Sequence, residues 1–142
     1  MDFFATNRFN ESVNKLIAKK KHYGCALSHI YKRFHNKTDT ELFDDGYKLN
    51  GNHPIARQMK VRVLSCGGNA KSEGFRLIVF VHKDDKKYYL LDIYPKTGPF
   101  NKSNMKKDER KLCLEELLAE KKNNTLFTIT FDNKKKTIVL KN

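Results

Sequence analysis

Apolar positions along this chain repeat at two different spacings, and the switches between them mark its elements. Between residues 75 and 94 the period is two. The runs Phe75–His82 and 87–94 are rich in β-branched and aromatic residues and are separated by the polar Lys83-Asp84-Asp85-Lys86, which predicts an antiparallel hairpin. Alternation puts Arg76 on one face with Ile78, Phe80 and His82, and Phe75, Leu77, Val79 and Val81 on the other. Both faces are largely apolar, so these read as central strands covered on each side. A guanidinium at the mouth of such a strand is expected to have an anion nearby, which singles out Arg76.

Upstream, Phe3 and Phe4 lie in a short strand over residues 1–5, and Thr6 or Asn7 supplies the cap of a helix. Phe9, Val13, Leu16 and Ile17 share one helical face, and Tyr23, Leu27, Ile30, Tyr31 and Phe34 write a second helix, so the two predict a helical hairpin lying across a sheet. The pattern weakens over 35–58, a long connection that Glu41, Leu42, Phe43 and Tyr47 are expected to pin to the body. Met59, Val61 and Val63 then alternate with Lys60, Arg62 and Leu64, placing Lys60 and Arg62 on one strand face. Residues 65–70 form a turn into the Arg76 strand. Pro95 closes the following strand, 106–122 is a third helix with a stripe of Leu114, Leu117 and Leu118, and 125–140 is a last hairpin. The expected architecture is a single α+β domain over residues 1–142. Its sheet is twisted and mostly antiparallel, with helices on one face and a basic concave site on the other.

Charge narrows the function classes. The 142-residue chain has 29 Lys and Arg against 16 Asp and Glu, a net charge of +13, and this points to a polyanionic partner. Its longest uninterrupted apolar run, 77–81, is far too short to span a membrane, and Met1-Asp2-Phe3 begins no signal peptide, so a cytoplasmic protein is expected. The three cysteines, Cys25, Cys66 and Cys113, are odd in number and lack a CxxC, so they are expected to be reduced packing residues without structural zinc.

No hydrolase constellation, HExxH, GxGxxG or GxxxxGK[ST] occurs, and the histidines, His22, His29, His35, His53 and His82, read as surface or packing residues. What remains is cationic chemistry. RNA carries its own nucleophile, the 2′-OH. A protein cleaves it by deprotonating that hydroxyl, stabilising charge on the phosphate and protonating the leaving 5′-oxygen. A lysine crowded by cations has a lowered pKa and can act as base or acid, whereas arginine stays charged.

The order of N-terminal strand, two helices and the strand Lys60-Val61-Arg62 leads into Lys71-Ser72-Glu73-Gly74-Phe75-Arg76-Leu77-Ile78-Val79. The following hairpin ends in Leu90-Leu91-Asp92-Ile93-Tyr94-Pro95-Lys96. This pattern resembles the RelE/ParE toxin superfamily over roughly residues 1–122, most specifically at 71–96. The resemblance implies a RelE-like fold and a ribosome-dependent mRNA endonuclease that needs no metal or other cofactor. It also implies a monomeric toxin, acting on mRNA in the ribosomal A site and neutralised by an acidic antitoxin encoded nearby. By position, the resemblance implies that Arg76 holds the scissile phosphate, that Lys60, Arg62 and Lys96 complete the catalytic set, and that Lys71, Tyr94 and Lys102 contact RNA. Three features depart from the family. Glu73 replaces a small residue beside the phosphate site, His53-Pro54-Ile55 matches a histidine-using branch without the rest of its pattern, and the 125–140 hairpin lies beyond the usual end of the fold. Two other readings stand beside the nuclease: a ParE-like inhibitor of DNA gyrase, and a non-catalytic basic module that holds RNA.

Overall fold

The computed structural model describes residues 1–51, 53–67 and 74–142. Its centre is the expected hairpin of β4 (Phe75–His82) and β5 (Lys87–Pro95), to which β3 (Ala56–Val63) adds antiparallel. The two-residue β2 (Tyr47–Lys48) pairs with β3 at the edge. On the other side, β1 (Asp2–Ala5) runs parallel to β5, and the last hairpin, β6 (Phe127–Asp132) and β7 (Thr137–Lys141), joins through β6 against β1. The result is one seven-stranded sheet in the order β2-β3-β4-β5-β1-β6-β7, antiparallel except at β1/β5.

α1 (Asn7–Ile17) is capped by Thr6, whose hydroxyl accepts the Phe9 N–H, and it buries Phe9, Val13 and Leu16. The second expected helix is two, α2 (Lys20–Tyr23) and α3 (Ala26–Phe34), with Gly24 and Cys25 between them. Glycine is a poor helix former, and Cys25 has another obligation: it is disulfide-bonded to Cys66. The expectation of three reduced cysteines is therefore corrected. Both cysteines lie beside turns, and the 41-residue separation hides in sequence a Cα–Cα distance of 5.6 Å. Cys113 is free and buried.

The long connection also has structure. α4 (Asp39–Asp44) begins with a capping box of Thr38 and Glu41 and buries Leu42 and Phe43, while Tyr47 stays 68% exposed and holds the connection to β3 by strand pairing instead of by burial. α5 (Lys107–Asn123) is the third expected helix. It buries Cys113 and Leu117, but Leu118 is 65% exposed, so the apolar stripe is narrower than its leucines predict.

Two cores result, one on each sheet face. α1, α3 and α4 cover Met59, Val61, Leu77, Val79, Tyr88 and Leu90, and this core extends to Ile129 and Ile138 of the last hairpin. On the opposite face, α5 and Met105 cover Ile78, Tyr89, Leu91 and Tyr94. Helices therefore pack on both faces, as the apolar faces of the central strands require, and not on one alone as in the expected architecture. The face expected to be open and basic is thus covered by α5 over Ile78, Tyr89, Leu91 and Tyr94.

Candidate cationic site

The alternation in β3 and β4 does what the sequence requires and brings arginines together. Arg62 is the direct cross-strand partner of Arg76, and Arg76 is in turn opposite Tyr94 on β5, so the three lie in one row across the sheet. Lys60, one step along the same face of β3, pairs in register with Ile78. Tyr94 reaches this face because of a β-bulge: the register of β4 with β5 shifts between Ile78 and Val79, leaving Leu91 as the extra residue. Without it, strict alternation from Tyr89 and Leu91 would turn Tyr94 to the other core. Lys96 follows, its N–H bonded to the Gly74 carbonyl at 2.9 Å.

Four of the sequence-predicted catalytic cations, Lys60, Arg62, Arg76 and Lys96, thus share one end of one face, and their charges act on one another. The Lys60 ammonium is held below its ordinary value by burial first, then by Lys96, Arg76, Arg62 and Arg110. Lys96 is lowered by burial, Arg76 and Arg62. Arg76 is only 3% exposed, and burial and then Arg62 lower its pKa too. Its guanidinium donates to the Phe75 carbonyl at 3.3 Å. Cations crowded in this way are stabilised by an anion placed among them.

The other expected residues sit differently. Tyr94 is 5% exposed, with the Lys96 and Lys102 ammoniums 6.0 and 5.7 Å from its ring centroid, so it floors the site and offers no open stacking face. Burial raises its phenol pKa; the Met105 backbone opposes that shift without making a well-formed hydrogen bond. Lys102 is ion-paired with Glu109 of α5. Lys71 and Glu73 lie outside the described residues. The His53 ring Nδ1 accepts the Ala56 N–H at 3.1 Å in the turn that starts β3, at the far end from Arg62, so it is a turn residue. The turn carrying Lys134, Lys135 and Lys136 is remote as well. β6 runs antiparallel to β1 and β1 parallel to β5, so this turn lies at the end of the sheet where β4 turns into β5. These lysines do not extend the Arg76 surface.

Sequence reasoning missed residues supplied by other elements. Arg110 and Asn104 join Lys60, Tyr47, Ile78 and Met105 around a cavity of about 280 Å³, with Lys60 Nζ 3.4 Å from Asn104 Oδ1. Arg110 precedes Cys113 and Leu117 at helical spacing, a signal that it lies beside the buried stripe. Two clamps hold the loops of the site on the α2–α3 junction. The Tyr23 hydroxyl donates to the Thr97 carbonyl at 2.8 Å and accepts the Phe100 N–H at 3.0 Å, while a Cβ at Gly98, where φ is +84°, would collide with that hydroxyl. Two residues on, Cys25 ties down Cys66, and in α3 the Arg33 Nε donates to the Arg62 carbonyl at 3.0 Å.

Asp92 lies in the bulge, buried, accepting from Ser12 Oγ at 2.6 Å and from the Ile93 N–H at 2.8 Å. Burial nevertheless pushes its carboxyl above the usual range. Among the described residues, no group of three His, Cys, Asp or Glu side chains converges as a metal site, and no helix is long and apolar enough to cross a membrane. No known family model matches the chain, and no curated protein matches it.

Proposed function

We propose that the protein is an endoribonuclease of the RelE-like kind, cutting mRNA on the ribosome by attack of a 2′-OH on the adjacent phosphate. The observation that supports this best is the row Arg62–Arg76 with Lys60 and Lys96 beside it, four cations converging where a single scissile phosphate would sit. Arg76 and Arg62 remain charged through the reaction and stabilise the charge that builds on the phosphate oxygens. Lys60 and Lys96, whose burial and cationic neighbours make their protons easier to lose, supply the base that takes the 2′-OH proton and the acid that returns one to the 5′-oxygen.

In this proposal the protein works in the cytoplasm as a monomer. An acidic antitoxin arm, encoded nearby, occupies the same face and blocks RNA. A reducing cytosol would open the Cys25–Cys66 bond and leave two thiols facing each other across the same contact. The experiment is brief expression followed by mapping of new mRNA 5′ ends, with gyrase supercoiling assayed in parallel. Codon-phased ends that disappear in Arg76→Ala support the nuclease. Intact mRNA with inhibited supercoiling replaces it by the gyrase-directed reading, and RNA binding without either effect by a plain RNA-holding module.

A further inference from the structure

The cationic row does not stop at β5. At this end of the sheet β1 reaches only as far as Ala5, opposite Leu90, so the space beside Tyr94 and Pro95 is bounded by the flank of α1 and the loop after β5. There a groove of about 340 Å³ opens, with Leu16, Ile93 and Phe100 as its apolar lining and Lys15, Asn101 and Lys102 as its polar one. Tyr94 lines this groove and the Lys60 cavity alike, so the two adjoin at this residue.

Phe100 is the unusual member. A phenylalanine in a loop bordering the site is held by more than packing: its N–H donates to the Tyr23 hydroxyl and its ring stacks on Tyr23, 6.0 Å between centroids and 23° between planes. The Lys15 and Lys19 ammoniums lie 5.2 and 5.6 Å from its ring centroid. A fixed aromatic ring ringed by long, adjustable cations is the arrangement that binds single-stranded nucleic acid, the ring taking a base and the cations the phosphates on either side.

We propose that this groove is a nucleotide subsite of single-stranded RNA, in which Phe100 stacks on the base next to the scissile phosphate while Lys15 and Lys19 swing from the ring to the following phosphate. The inference rests on the nuclease reading for its register, and on the groove itself for its chemistry. It makes Phe100 a positioning residue: it sets which phosphate reaches Arg76 and takes no part in proton transfer.

The test uses the full chain and a 2′-O-methyl RNA hexamer, which cannot be cleaved, carrying 5-iodouridine at each position in turn. Irradiation should cross-link one position of the hexamer to Phe100, and Phe100→Leu, which keeps an apolar side chain against Tyr23, should weaken hexamer binding roughly tenfold or more, the scale of one lost base–aromatic stack. Lys15→Gln with Lys19→Gln should lower the salt dependence of binding without moving the cross-link. A hexamer that binds but cross-links only elsewhere, for instance to the exposed Tyr47, overturns the subsite and leaves cleavage at Arg76 standing. Unaltered affinity in a folded Phe100→Leu variant overturns it as well. If the hexamer does not bind and no RNA is cut, both the subsite and the nuclease reading fall.

Discussion

Arg62 and Arg76 face each other directly across β3 and β4, and the buried Arg76 has its pKa lowered in part by that neighbour. Like charges in this position oppose strand pairing by roughly 0.2–1 kcal/mol. A sheet that keeps them is expected to gain on binding an anion. Arg62→Gln should therefore raise the unfolding midpoint slightly in a buffer of weakly bound anions, and phosphate should stabilise the wild type more than the variant. Thermal unfolding with and without phosphate checks both signs.

On the proposed reaction, Lys60 and Lys96 should give cleavage a pH dependence. A lysine base acts only when neutral, and the Lys60 pKa is lowered from its ordinary 10.5, so cleavage should rise with pH and level off below that value. Lys60→Arg, which keeps the charge and never deprotonates, should flatten the rise and cut the rate by about a hundredfold if Lys60 is the base. If Lys96 is the base instead, the flattening should follow Lys96→Arg. Stability follows the same group with its own sign. The cost of burying the Lys60 charge beside Lys96, Arg76 and Arg62 is fully present at neutral pH, where Lys60 is protonated folded and unfolded, and it fades as pH rises from the lowered folded value to 10.5.

The two clamps predict a separation of activity from stability. Tyr23→Phe removes one hydroxyl that serves Thr97 and Phe100 together, a loss of about 1–3 kcal/mol in stability. Its larger effect should be on cleavage, because the loop between Lys96 and Lys102 is what it holds. Cys66→Ser frees the turn after Arg62 from α3 and should lower cleavage under oxidising conditions more than under reducing ones. Equal rates for wild type and Cys66→Ser in oxidising buffer would show that the disulfide has no bearing on the site.

The last hairpin belongs to the body of the domain. β6 is the partner of β1, and Ile129 and Ile138 belong to the larger core, so a chain ending near Asn123 should fail to fold rather than lose an accessory function. Ile138→Ala alone should cost about 2–5 kcal/mol. Urea unfolding of that variant, and circular dichroism of the truncated chain, decide the matter.

Much of this was legible in the chain because period and burial agree in the central strands. Phe75–His82 alternates cleanly, so its faces and the position of Arg76 could be read directly, and Lys60 and Arg62 follow from the same argument. What was not legible depends on contacts distant in sequence. The bulge at Leu91 that aims Tyr94 and the Cys25–Cys66 bond leave no local pattern, and the helical spacing of Arg110 to Cys113 and Leu117 does not say that it approaches Lys60. Leu118 misled for the opposite reason: it sits next to the buried Leu117 in sequence, but a helix turns about 100° between neighbours, which puts it on the flank. The Lys134–Lys136 turn is basic too, but the strand directions put it at the other end of the sheet.

The central claim is that Arg76 and the three cations around it, Lys60, Arg62 and Lys96, cleave RNA through its own 2′-OH. The direct measurement takes ribosomes carrying a defined mRNA, adds the purified protein, and compares the natural message with one bearing a single 2′-deoxynucleotide at the cut position. The account predicts cleavage of the natural message to a 5′-hydroxyl end, none at the deoxy position, and a rate reduced about a hundredfold or more by Arg76→Ala in a folded protein. Cleavage that persists at the deoxy position, or is unchanged in Arg76→Ala, would contradict it.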